Sequence, residues 1–413
     1  MRGDHMRVVS ITGAFADLVA ADWYPPDELA DTTRAAAAVV LYNAMVLTEE
    51  RSRPIRDLLA RLGTSEDGDR RVNALVRAVL VYDPADEAGM ARRLDELVAD
   101  PDPYVQAAGL QRRSHLLENS GDPAGAVAAA ERALALPGEV DGPWSAAIVR
   151  AQLAGLHMQL GNRTEAVAHA RTALPVLDRL GATDDVIQLR STLVLAAVAC
   201  GRLDEAAAEL VELERLVVHG RQVLGGMASV RLTAAELTLA RGEVAAGLAA
   251  YQDAVAEMRV ATALGIPTTG LEPWVLFGES ATLTAFALYG GDEQLAAGDE
   301  LFLACLRRGL RALDADRPHL DYPVCGTVLF GLAAWGLVRS ALPAAEAVRL
   351  LVLAERFAYN RTLPTMAWEN LEPYAERSAP GRISALRAEY GNRGGPDLLG
   401  EARQTLDRHR CRL

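Results

Sequence analysis

The residue types capable of nucleophilic chemistry come together once in the sequence, at His319, Asp321 and Cys325. They can be drawn as a thiol catalytic set, in which a carboxylate orients an imidazole that activates a cysteine. The same spacing describes a polar loop entering a helix that buries its cysteine, and this is the reading we favour. No HExxH, GxSxG or GxGxxG is present, and Gly278-Glu279-Ser280 lacks the second glycine of a nucleophile elbow. Cys200, Cys305, Cys325 and Cys411 form no CxxC pair and have no histidine at a metal spacing, so reduced thiols and no metal are expected. Acidic pairs such as Asp184-Asp185 and Asp204-Glu205 stand where helices begin, and the helix dipole accounts for them.

Every basic residue is an arginine or a histidine, because the 413-residue chain contains no lysine. That excludes a P-loop NTPase, a Schiff-base enzyme and a protein kinase, each of which needs an amine at its centre. With 42 arginines against 55 acidic residues, net −13 with histidine neutral, and no basic block, the chain is not expected to bind nucleic acid. The apolar stretch from Val8 to Ala21 carries Asp17, so it reads as neither a signal segment nor a membrane span. A cytoplasmic protein without cofactors is the resulting expectation.

Binding chemistry is better represented than catalysis. Arg150, Arg190 and Arg231 are spaced 40 and 41 residues apart. They form either an anion or acidic-peptide ladder or a set of guanidinium groups paired with carboxylates such as Glu165, Glu205 and Glu209, and we favour pairing. Gln111, His115, Glu118, Gln159, Gln188, Ser191, Ser229 and Glu236 outline a polar face that could hold a partner. Trp274, Phe277, Trp335 and Trp368 read as core wedges, or else as the walls of an aromatic ligand pocket, Trp274 and Trp335 above all.

These residues are positioned by a repeat. Half of the chain is hydrophobic but only 5% is aromatic, a balance that favours closely packed helices. Gly121-Asp122, Gly161-Asn162, Gly201-Arg202 and Gly242-Glu243 recur at 40, 40 and 41 residues, each glycine ending one helix before a polar residue opens the next. Five residues on come Ala126, Ala166, Ala206 and Gly247; nine on, Ala130, Ala170, Leu210 and Tyr251; twelve on, Ala133, Ala173, Leu213 and Ala254. Steps of four and three place them on one stripe of the second helix. Leu153, Leu193 and Ala234, eight residues before their glycines, mark the facing helix, while Arg113 breaks that pattern.

On these residues the chain resembles the tetratricopeptide repeat, in which a glycine ends helix A and a small residue lets helix B approach closely. The resemblance covers residues 107 to 260; it departs in its period, 40 against the usual 34, and in Leu110, Arg150, Arg190 and Arg231 standing where a large aromatic is usual. It implies an all-α, right-handed superhelical solenoid of helical hairpins. We expect N-terminal hairpins over 1–106, with helices at 30–50, 54–61, 71–81 and 86–98, regular repeats over 107–262, and irregular C-terminal repeats with a cap over 263–413. The elbows fall at 261–273 and 314–323, where Gly and Pro cluster.

A second resemblance lies in Ala354-Glu355-Arg356-Phe357, continuing through Tyr359-Asn360-Arg361 to Pro364, Met366 and Trp368. This run is similar to the C-terminal repeat region of actinobacterial transcriptional regulators of the SARP type. It implies the sensor or assembly half of such a protein, or a free-standing relative. The function expected is therefore a non-enzymatic scaffold that binds a protein or peptide on its concave face in a regulatory context. The alternatives are a small-molecule-sensing repeat domain and an enzyme of secondary metabolism on a helical-repeat scaffold.

Overall fold

A computed structural model describes residues 13–19, 23–42, 49–81, 87–136, 142–219, 226–260, 269–314 and 321–410. The chain is all-α, and no strand occurs among these residues. After a helical stretch over 13–19, the N-terminal helices are α1 (Ala30–Tyr42), α2 (Glu49–Leu62), α3 (Arg70–Leu80) and α4 (Glu87–Val98). Pro54, expected to open a helix, lies inside α2, which begins before it.

Four hairpins follow, each a helix A and a helix B. They are α5 (Pro103–Asn119) with α6 (Pro123–Leu134), α7 (Gly142–Leu160) with α8 (Arg163–Arg179), α9 (Thr183–Ala199) with α10 (Leu203–His219), and α11 (Gly226–Ala240) with α12 (Val244–Val260). The four repeat glycines have φ of 85°, 81°, 70° and 82°, a left-handed conformation that costs a side-chain-bearing residue free energy. Each starts a turn in which the next N–H bonds back across the helix end, as Asp122 N–H does to Leu117 C=O at 2.8 Å and Asn162 N–H to His157 C=O at 2.8 Å. Asp122 then caps α6 by accepting from Gly125 N–H at 2.8 Å.

The small-residue stripe sets the spacing within each hairpin. Ala126, Ala166 and Ala206 are completely buried. A Cβ built on Gly247, their counterpart, would come within 2.7 Å of the Leu239 side chain. A larger residue at these positions would push helix B away from helix A.

Beyond the regular hairpins come α13 (Pro273–Tyr289), α14 (Leu295–Ala312), α15 (Tyr322–Val338), α16 (Ala344–Arg356), α17 (Glu372–Ser378), α18 (Arg382–Tyr390) and α19 (Gly395–Asp407). The largest core runs through them and continues into α7, α9 and α11, so the C-terminal body and the repeats share one apolar interior. His319, Cys411, residues 1–12, and 261–268 and 315–320 of the expected elbows lie outside the described residues. No described helix is long and apolar enough to cross a membrane.

Candidate partner-binding groove

The chain's own C-terminal segment marks the inner face of the array. At α5, a Cβ built on Gly121 would stand 3.3 Å from Tyr322 Cβ and 3.7 Å from the Phe357 carbonyl oxygen. At α7, Gln159 Nε2 donates to Ala358 C=O at 3.1 Å. Helix α9 touches the short turn Pro364–Met366. At α11, Glu236 accepts from Thr365 N–H at 3.2 and 3.3 Å and from the Tyr251 hydroxyl at 2.5 Å. Residues 357–366 thus form a strap that runs from the turn after α5, past the end of α7, to α9 and α11.

Local geometry launches the strap. Ala358 has φ 53°, and its N–H and that of Tyr359 bond to Glu355 and Ala354 C=O, ending α16 in a left-handed turn without a glycine. A Cβ on Gly326 would meet Phe357 Cβ at 2.8 Å, so the chain can cross α15 there only because that residue has no side chain.

Burial holds the strap in place. Phe357, Tyr359, Leu363 and Met366 of the strap, and Trp368 just beyond it, are at most 6% exposed. At about 1.5–3 kcal/mol for each side chain, they contribute ~10 kcal/mol in all.

The strap is bonded to Gln159 and Glu236, which with Glu118 and Leu195 make a first row of A-helix positions. Two helical turns earlier, about 10.5 Å along each axis, stands a second row: Gln111, Gln152, Gln188 and Ser229. In that row Gln188 and Ser229 are exposed, while Gln111 and Gln152 are half-buried. Gln152 Nε2 donates to Ser114 Oγ at 2.8 Å, and Gln188 Nε2 lies over Gly155, 3.6 Å from where a Cβ would be. The expected face did not include Gln152, although its spacing of 41 and 36 residues from Gln111 and Gln188 repeats that of the strap row.

At the α5 end several titratable groups are desolvated. Glu118 is only half-buried, yet burial raises its carboxyl to about 7, with the negative charge of Asp321 adding to the rise. Burial also lowers His115, whose Nδ1 is 3.0 Å from Gln111 C=O, and lowers Arg112 on the same helix. It raises the hydroxyl of Tyr42, which feels both Arg112 and Asp185.

The remaining expected site residues are placed as follows. Gln159 and Glu236 are buried under the strap, and burial raises the Glu236 carboxyl. Ser191 is buried at 7% exposure. Arg190 pairs with Glu209, and Arg231 with Glu257 at 2.9 Å and Asp253 at 3.8 Å. Arg150 departs from the expected carboxylate pairing: its Nη1 is 3.5 Å from Nδ1 of His169, which stands where Glu209 stands in the next repeat. The His169 ring in turn stacks on His157 at 5.5 Å.

Trp335 is 1% exposed, donates from Nε1 to Asp299 at 3.0 Å and packs on Gly298, so it belongs to the core and walls no ligand pocket. Trp274 is half-buried against the same core. Asp321 caps α15 through Val324 N–H at 3.0 Å, and the buried Cys325 thiol points to Ala312 C=O. The buried Cys305 thiol is pushed up to about 12, away from thiolate chemistry. No cluster of three metal-ligating side chains occurs among the described residues.

No family model and no curated protein matches this chain. Among solved structures it is similar to a Rap protein whose crystal structure is described as complexed with competence and sporulation factor. The TM-score is 0.53 at 9% identity, covering 87% of this chain and 99% of that one. At so low an identity the likeness defines the fold: an all-α solenoid of tetratricopeptide-like hairpins.

Proposed function

We propose that this chain is a non-enzymatic scaffold that binds a protein or peptide partner in a regulatory context through the inner face of its A helices. The observation that carries the reading is the groove itself. A polar, solvent-reaching row of amide and hydroxyl side chains runs along four consecutive A helices, beside a row that already holds a polypeptide segment by side-chain bonds to its backbone. Hairpins packed closely through buried alanines on their B helices lower the ordering cost of binding a partner. The likeness to a Rap protein complexed with competence and sporulation factor supports a bound partner. The resemblance of residues 354–368 to SARP-type repeat regions supports the regulatory setting.

The test is selection of a phage-displayed random dodecapeptide library on the full chain. We expect binders whose affinity falls at least tenfold when Gln111, Gln188 and Ser229 are all changed to Glu. The melting temperature should stay nearly unchanged, because these substitutions lie on half-buried or exposed positions of the groove. Binding that survives the triple change but is lost in a folded Trp274→Ala variant would overturn the reading in favour of a small-molecule-type pocket.

A further inference from the structure

We infer that the α7–α8 hairpin is a proton-sensitive joint. Arg150, His157, Asn162 and His169 lock it while both imidazoles are neutral, and acidification through the ordinary histidine range loosens it together with the strap contact at Gln159.

The hydrogen bonds fix the protonation state. A guanidinium only donates, so the contact of Arg150 Nη1 with His169 Nδ1 at 3.5 Å needs a lone pair on that nitrogen. Asn162 Nδ2 donates to His157 Nδ1 at 3.4 Å, and Asn162 N–H bonds to His157 C=O at 2.8 Å. Both rings are therefore neutral and carry their proton on Nε2. They stack almost parallel, with 6° between their planes and 5.5 Å between centroids. A proton added at either Nδ1 would point at a donor. Two added protons would set like charges across the stack, and the charge on His169 would also face Arg150.

The neighbouring hairpins show what this joint lacks. Forty residues on, Arg190 pairs with Glu209, and in the fourth hairpin Arg231 pairs with Glu257. Carboxylates stay charged in mild acid, whereas an imidazole loses its acceptor there. Burial lowers the His169 pKa, and His157 and Arg150 on α7 lower it further. Glu131 on α6 and Glu165 on α8 pull the other way, but both are exposed and screened. His157 is 6% exposed, so a charge on its ring has little water to stabilise it. A lowered folded-state pKa means full stability above the free-histidine value of about 6.5, lost as pH falls below it, because the opened hairpin takes up the proton more readily.

The joint is coupled to the strap by position. Gln159 lies two residues beyond His157, at the end of the same helix, and donates to Ala358 C=O. The anchor at α11, Glu236 with Thr365 and Tyr251, contains no imidazole. Acid thus frees the strap from α7 while its other end stays held.

Hydrogen exchange of the full chain at about pH 7.5 and about pH 5.5, corrected for intrinsic rates, tests this. A histidine kept neutral in the closed form makes opening about tenfold easier one unit below 6.5. Protection in segments 150–161 and 164–170 should therefore fall about tenfold relative to α13, and protection at 357–361 should fall with it. His169→Glu gives Arg150 the partner that Arg190 has, and this variant should keep its protection at both pH values. Carbon-13 NMR of ring-labelled histidine in the parent should show the resonance lost in the variant titrating below the free-histidine value. Equal protection of the parent hairpin at the two pH values, an equal fall in His169→Glu, or a His169 titration at or above the free value would overturn the joint. A loosened hairpin with 357–361 still protected would overturn its coupling to the strap.

Discussion

Replacing Glu236 with Ala removes the acceptor shared by two buried donors, the Tyr251 hydroxyl and the Thr365 N–H. Tyr251 is completely buried and Thr365 is 1% exposed, so neither donor gains water when the carboxylate goes. Each orphaned donor costs about 1–3 kcal/mol. Part is returned because burial holds the Glu236 carboxyl above its ordinary range, so its charged form is itself costly. The net expectation is a loss of ~2–4 kcal/mol, concentrated where the strap meets α11. Hydrogen exchange read by mass spectrometry resolves the location. Peptides covering 357–371 should exchange about 30- to 1000-fold faster in the variant, at 1.36 kcal/mol per decade, while peptides in α6 and α8 change little. The result that would refute the reasoning is a variant as stable as the parent with strap amides equally protected.

Glu118→Gln should have no effect on stability near pH 4 and stabilise by about 1–2 kcal/mol at pH 8. The folded carboxyl rises from 4.5 to about 7, so the parent is unpenalised below 4.5, loses stability as pH climbs through the folded value, and regains it when the charge is removed. Urea melts at the two pH values check this. Ala206→Leu should destabilise by ~1–3 kcal/mol by overpacking the contact with Val194, Val198 and Leu237, measured by thermal or urea unfolding. Ala358→Gly should stabilise by about 1 kcal/mol in the same assays, because its φ of 53° favours glycine.

The repeats were legible because their signals are local and periodic. Gly121, Gly161, Gly201 and Gly242 announce left-handed turns, and Ala126, Ala166 and Ala206 announce close helix contacts, from spacing alone. The strap was not legible, because its anchors join residues 129 and 199 positions apart. Periodicity identifies the face of a helix and carries no information about what packs on that face. Glu236 therefore reads as a groove residue, as Gln159 does, when both are held under the strap. Trp335 carries no sign in sequence of the Asp299 bond that satisfies it in the core. Arg150 shows the limit of register, since the equivalent position on helix B changes from His169 to Glu209 between neighbouring repeats.

We propose that the inner face is divided between a fixed strap and an open row that receives the partner. Hydrogen exchange of the full chain, with and without the tightest library peptide, tests it directly. Added protection should appear in segments 108–115, 148–156 and 185–192, with the strap unchanged. Protection confined to the B helices α6, α8 and α10, or faster exchange at 358–366 on binding, would contradict it.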